Sequence, residues 1–217
     1  MRRVLIIAGL SGVGKTVASA DILERREDFT LLRSATTRPC RDDAHRDEYI
    51  YLTEEEFTSW VERGEMAEHM TYEGYSYGTP LSELERAFSE GRTPLLVLDL
   101  AGVRSLSERG DLQVCAVYIY DSLNSVEERL YNRYLSTPTV GGLTEFMKRK
   151  ERNIRDYLAL PEYGGYFYSV VLNDGTIREC ADRILTAYES FSLGAPRQDD
   201  EIGGIIEALY RSAEEKA

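Results

Sequence analysis

The sequence predicts an α/β fold in which a parallel sheet is flanked by helices. Five short apolar runs alternate with longer segments of helical periodicity, and this alternation is typical of a parallel sheet. The first run leads directly into a glycine-rich phosphate-loop motif. The 217 residues, 42% of them hydrophobic, are enough for one large domain with a subdomain.

The predicted strands cover residues 4–8, 31–34, 94–100, 114–120 and 167–172. The predicted helices cover residues 17–26, 81–90, 122–135, 143–158 and 177–191. The capping box Thr176-x-x-Glu179 marks the start of the last of these helices. Residues 34–80 interrupt the alternation with tyrosine-rich pieces around one helix, which begins after Thr53. We interpret this stretch as a small α+β subdomain inserted into a core of residues 1–33 and 81–193.

Residues 194–217 read as a linker followed by an amphipathic helix. The Gly194-Ala195-Pro196 segment is typical of a linker. The apolar residues at helical spacing after it are Ile202, Ile205, Ile206, Leu209 and Tyr210. Because a short helix does not keep such a stripe in water without cost, we expect it to dock on its own domain or to join a second copy as a homo-oligomer.

Charge and cysteine content exclude several classes of function. With 26 Lys and Arg against 38 Asp and Glu, the formal net charge is -12, so we expect neither nucleic acid nor membrane as a partner. Cys40, Cys115 and Cys180 form no CxxC pair, so neither a disulfide framework nor a structural zinc site is indicated. We expect a cytoplasmic protein.

The segment from Gly9 to Thr16 satisfies GxxxxGK[ST] and lies between the first predicted strand and helix. Such a loop curls its backbone N–H groups around phosphate, while Lys15 reaches the β and γ oxygens and Thr16 offers a hydroxyl to Mg²⁺. The residues assigned to phosphate binding are Gly9, Ser11, Gly12, Gly14, Lys15 and Thr16. The alternative is a glycine-rich turn with a surface lysine.

Asp99 ends the predicted PLLVLD strand, on the carboxyl edge where open α/β sheets bind ligands. It could bind Mg²⁺ directly, act through water, or contact the acceptor. Alternatively, it caps the helical segment 101–106. The cap and a ligand contact are compatible.

The inserted subdomain carries groups that suit a nucleoside monophosphate. Arg38 and Arg41 can bind a phosphate in forked geometry, and the hydroxyls of Tyr49 and Tyr77 can donate to it. Glu68 can accept from N1–H and the exocyclic amine of guanine. Taken singly, each tyrosine could serve packing and each arginine could be solvated.

The helix at 143–158 is predicted to pack through Met147, Ile154 and Leu158. Its opposite side carries the basic residues Lys148, Arg149, Arg152 and Arg155, next to Lys150. Arginines of this kind stabilise a transferring phosphoryl group. The alternative is a solvated face balanced by Glu145, Glu151 and Asp156.

Seven separate motifs resemble the guanylate kinase family over residues 4–191. They are the GxSGxGK[ST] loop at 9–16, S-x-TTR-x-x-R at 34–41, Glu48-Tyr49, E-x(8)-YG[ST] at 68–79, D-x-x-G at 99–102, R-L-x-x-R at 129–133 and V-x-N-D at 171–174. The resemblance implies an enzyme that phosphorylates GMP or dGMP with ATP and Mg²⁺.

The resemblance also implies roles for single residues. The GMP phosphate would be held by Ser34, Arg38, Arg41, Tyr49 and Tyr77, and guanine would be read by Glu68, Thr79 and Asp99. Lys15, Arg133 and Arg149 would be catalytic, the last from a lid at about 134–150, and Asn173 would lie near adenine. Ala101 replaces a glutamine common in the family, and the lid is longer than usual. Two alternatives stay open: a kinase of another phosphorylated acceptor such as a ribose phosphate, and a non-catalytic module that binds phosphopeptides.

Overall fold

The computed structural model describes residues 2–40, 49–72, 74–136 and 141–217. Arg41 and part of the predicted lid therefore lie outside the described residues. In chain order, the elements are β1 (Arg3–Gly9), α1 (Lys15–Arg25), β2 (Phe29–Leu31), β3 (Ser34–Thr36), β4 (Tyr49–Tyr51), α2 (Glu54–Glu62), β5 (Met66–Tyr72), β6 (Tyr75–Pro80), α3 (Leu81–Ser89), β7 (Thr93–Val97), α4 (Leu100–Ser107), β8 (Gln113–Tyr120), α5 (Leu123–Tyr134), α6 (Gly142–Tyr163), β9 (Ser169–Leu172), α7 (Ile177–Ser192) and α8 (Asp199–Glu214).

The core is a five-stranded parallel sheet in the order β2-β7-β1-β8-β9. The central strand β1 is completely buried over residues 4–8, as expected of a parallel strand covered by helices on both faces. The predicted fold class is therefore confirmed. The predicted strand at 31–34 is wrong in its bounds, because β2 ends at Leu31 and Ser34 already begins β3 in a second sheet.

The second sheet has the order β4-β3-β6-β5 and lies within residues 34–80. Its β3 and β4 are parallel, whereas its other pairs are antiparallel. A separate small core of Ala35, Phe57 and Met66 joins this sheet to α2. The Thr53 and Glu56 side chains form a capping box at the start of α2. Residues 34–80 thus carry a sheet and a core of their own.

Helix α6 differs from its prediction in length and in its packing face. It continues to Tyr163, beyond the expected end at residue 158, and Met147 is 44% exposed rather than packed. Ile154 and Leu158 do pack against the core, half-buried. The buried residues of α6 are Gly142, Phe146, Asn153, Tyr157 and Leu160. The apolar pattern missed this stripe because a polar residue, Asn153, lies on it.

Helix α8 docks on its own chain. Ile202, Ile206 and Leu209 are buried and belong to the main core. The linker before it is fixed by Arg197, whose guanidinium donates to the carbonyls of Gly164 and Gly165 at 2.7 and 2.6 Å. The structure therefore shows the intramolecular docking of this helix, and a homo-oligomer through it stays a prediction.

The 22-residue α6 is the longest described helix. Neither it nor any other helix in the described ranges combines the length and the apolar character needed to cross a membrane.

Candidate active site

The turn between β1 and α1 requires glycine at two positions. Gly9 has φ 145° and Gly14, the N-cap of α1, has φ 106°. A Cβ on Gly9 would collide with the carbonyl oxygen of Ile119, and one on Gly14 would lie 2.7 Å from Nδ2 of Asn173. The loop can therefore hold this tight shape only with glycine at both positions.

Lys15 begins α1 and reaches back over the loop. Its Nζ donates to the carbonyl oxygens of Gly9 and Leu10, both at 2.8 Å. Burial lowers the pKa of Lys15 to about 8, with Asp156 opposing and Arg152 adding to the effect. The side chain is still mostly protonated at pH 7, so it presents a cation to the cavity above the loop.

A buried carboxylate lies on the second sheet. Glu68 on β5 is 7% exposed and accepts a hydrogen bond from the Thr79 hydroxyl of β6 at 2.7 Å. Burial raises the pKa of Glu68 to about 7; the Thr79 hydrogen bond opposes this rise and the Asp99 carboxylate adds to it. Glu68 is thus a poorly solvated acceptor that gains from a donor supplied by a ligand.

Two tyrosines line this side of the cavity, and an arginine lies beside one of them. The rings of Tyr49 and Tyr77 lie 6.3 Å apart, and the Arg38 guanidinium lies 5.4 Å from the Tyr49 ring centre. The Nε of Arg38 is buried, and no described residue accepts a hydrogen bond from it. This group is therefore a donor able to serve an anionic ligand.

Helix α6 covers the cavity with a charged cluster. Arg149 donates to the Ser11 hydroxyl at 2.8 Å. Arg152 lies 3.5 Å from a carboxylate oxygen of both Asp99 and Asp156. Burial raises the pKa of Asp156, which Arg152 opposes. The cluster brings two arginines close to the phosphate loop.

Asp99 does not end a strand, because β7 stops at Val97. It is the N-cap of α4, where its Oδ1 accepts from the Gly102 N–H at 2.9 Å. Its other oxygen faces Arg152 at 3.5 Å. The capping alternative is therefore confirmed, while Asp99 also lines the cavity.

The cavity of about 260 Å³ brings most of the predicted site residues together. Those that line it are Gly9, Ser11, Lys15, Ser34, Tyr49, Glu68, Tyr77, Asp99 and Arg149. Thr79 joins the site through its bond to Glu68. Among the described residues, the predicted ones that do not line the cavity are Gly12, Gly14, Thr16, Arg38, Thr79, Arg133 and Asn173.

Three of these residues lie outside the cavity, in different surroundings. Arg133 is exposed near the end of α5, with its guanidinium 5.4 Å from the Tyr134 ring centre. Asn173 is buried behind the phosphate loop, where its Nδ2 donates to the Val13 carbonyl at 2.8 Å. Thr16 is exposed in the first turn of α1.

Sequence reasoning missed Met70, Tyr118 and Asp156, which also line the cavity. The alternative of a solvated face names Asp156 only as a residue that balances charge. Tyr118 sits in an apolar strand buried on both faces, so no periodicity distinguishes it, and its hydroxyl has no hydrogen-bond partner among the described residues. Asn153 carries an amide on a helix face whose other residues are aromatic and aliphatic. That pattern indicates a buried polar contact in the sequence.

A phosphate loop at the first strand of a parallel sheet, with cations and a buried carboxylate around one cavity, defines a nucleotide kinase of the phosphate-loop class. The guanylate kinase family profile matches residues 1–186. The chain therefore belongs to the guanylate kinase family of enzymes.

Individual relatives agree with this assignment. A guanylate kinase from Lactobacillus johnsonii is 30% identical over 198 residues, which are 89% of this chain and 91% of the relative. One from Synechocystis sp. is 33% identical over 132 residues, 60% of this chain and 69% of the relative. The crystal structure of guanylate kinase from Anaplasma phagocytophilum has a TM-score of 0.59 at 24% identity, covering 86% of this chain and 84% of that one, and supports the fold.

Proposed function

We propose that the protein transfers the γ-phosphoryl group of ATP to GMP or dGMP, giving the diphosphate. The observation that carries this proposal is the buried Glu68, which accepts a hydrogen bond from Thr79 and lines the same cavity as Lys15 of the phosphate loop. One cavity can thus hold a base at one end and a donor phosphate at the other.

The chemistry of Glu68 favours guanine over other bases. Guanine presents N1–H and its exocyclic amine as adjacent donors, which one carboxylate can accept together. Adenine would direct an unprotonated N1 at the same oxygen. Glu68 is almost completely buried. A base that donates no hydrogen bond to its carboxylate therefore binds weakly, because the free-energy cost of removing that carboxylate from water is not offset.

The remaining groups suit the two phosphates. Tyr49, Tyr77 and Arg38 offer donors on the side of the second sheet, and Ser34 lines the cavity there. Lys15 and Arg149 offer charge on the side of the phosphate loop. An acceptor phosphate needs no general base, so transfer depends on placement and charge stabilisation.

Magnesium enters with ATP as part of the substrate. In the described ranges, no group of three or more His, Cys, Asp or Glu side chains could hold a metal ion. Mg²⁺ keeps several of its waters and binds through substrate phosphates together with one or two protein oxygens. The Thr16 hydroxyl and the Asp99 carboxylate are the groups that would supply these oxygens.

Turnover measured with a panel of acceptors tests the proposal. With Mg–ATP present, GMP should exceed AMP in kcat/KM by at least about 10²-fold, because an unpaired buried carboxylate rejects the wrong base. Glu68→Gln should lower the value for GMP steeply while AMP stays poor or improves slightly. Faster turnover of AMP, CMP or a ribose phosphate than of GMP in the wild type would refute the substrate assignment.

A further inference from the structure

The backbone of Ser11, within the phosphate loop, is hydrogen-bonded twice by the side-chain amide of Asn153 on α6. Its backbone N–H donates to Oδ1 of Asn153 at 2.9 Å, and Nδ2 of Asn153 donates to its carbonyl at 3.0 Å. A reversed amide would set donor against donor and acceptor against acceptor. The two hydrogen bonds therefore fix both the amide and the orientation of Ser11.

Packing does not account for an asparagine at this position. Asn153 is 2% exposed and shares its stripe with Phe146 and Leu160. A buried amide is unfavourable unless both of its polar atoms are hydrogen-bonded. Here both are bonded to one residue of the phosphate loop, so the side chain serves the loop rather than the core.

The same serine also connects the loop to the cationic cluster. Arg149, one helical turn before Asn153, donates to the Ser11 hydroxyl at 2.8 Å. The amide thus sets the distance between the loop and the helix that bears this arginine. Backbone N–H groups of the loop must converge on one phosphate, and a displacement of about 1 Å can cost about 10²-fold in rate.

We infer that Asn153 is a positioning residue, which holds the phosphate loop at Ser11 in the shape that accepts the donor triphosphate. This inference rests on the proposed use of ATP. It predicts a selective effect: loss of the amide should weaken the donor site, while the acceptor groups Ser34, Tyr49 and Glu68, which lie on other elements, keep their affinity for GMP.

Calorimetric titration of the full-length protein with Mg–ATP alone and with GMP alone tests this selectivity. For Asn153→Ala, the Kd of Mg–ATP should rise about 10- to 100-fold with the Kd of GMP unchanged. Asn153→Asp keeps the acceptor but loses the donor and adds negative charge, so it should bind Mg–ATP more weakly still. Tyr157→Phe is the matched control, since it removes a different buried hydrogen bond of α6, to the Asp121 carbonyl at 2.7 Å.

The control should lower Tm without changing the ratio of the two affinities. Asn153→Ala that binds Mg–ATP as the wild type does would overturn the inference. Equal losses for both ligands, as for a general loss of folding, would overturn it too. A wild type that binds no Mg–ATP would instead refute the proposed donor, and the inference with it.

Discussion

Replacing Glu68 with Gln should stabilise the protein at alkaline pH. A carboxyl whose pKa is raised in the native state binds its proton more tightly when folded, so its ionisation disfavours the native state. The pKa of Glu68 rises from 4.5 to about 7, chiefly through burial. Stability is therefore lost progressively as the pH increases between these two values.

The size of the effect follows from the two pKa values. Each tenfold change in proton affinity is about 1.4 kcal/mol, so ionised Glu68 costs the native state at most ~3 kcal/mol at pH 8. Glutamine keeps an acceptor for the Thr79 hydroxyl but adds a buried N–H₂ group, which offsets part of the gain by ~1–3 kcal/mol. The cost of the buried N–H₂ group does not depend on pH, whereas the stability gained by removing the ionisable carboxyl increases with pH.

Urea unfolding of both proteins at pH 5 and pH 8 measures the difference. The free energy of unfolding of Glu68→Gln relative to wild type should increase by ~2 kcal/mol between these pH values. Glu83→Gln is the matched control. Burial alone would raise the pKa of Glu83, but hydrogen bonds from Arg86 and Arg33 lower it. Its carboxylate is therefore ionised at both pH values, and this variant should lose stability by nearly the same amount at pH 5 and pH 8. A pH-independent difference for Glu68→Gln would refute the reasoning.

Two further predictions concern the donor site and the tail. Lys15→Ala should abolish turnover and leave GMP binding intact, because the ammonium lies over the phosphate loop. A coupled assay measures turnover, and calorimetry measures GMP binding. Turnover within a few-fold of wild type would contradict the phosphate-loop assignment. Truncation after Leu193 should lower Tm clearly, since the buried Ile202, Ile206 and Leu209 each contribute roughly 1.5–3 kcal/mol. An unchanged Tm in differential scanning calorimetry would mean that α8 does not stabilise the domain.

The parallel sheet and the phosphate loop could be predicted because local signals specify them. Five apolar runs, capping boxes and Gly9 to Thr16 each act over a few residues. The subdomain boundaries and the roles of single site residues remain predictions. The face of α6 could not be read correctly, because Asn153 is buried only through a partner 142 residues away. Arg152 and Asp99 likewise meet only after the chain has folded, because they lie 53 residues apart.

The raised pKa of Glu68 leads to a last prediction, on proton release. Guanine donors stabilise ionised Glu68, so GMP binding should lower the pKa of this carboxyl from about 7 and release a proton when the pH is below that value. The phosphate of GMP, with a second pKa near about 6, also exchanges protons, and Glu68→Gln retains only that contribution. Calorimetry at pH 6.5 in buffers of different ionisation enthalpy should therefore show greater proton release from wild type than from the variant. Equal release from both would mean that Glu68 does not contact the base, whatever the acceptor.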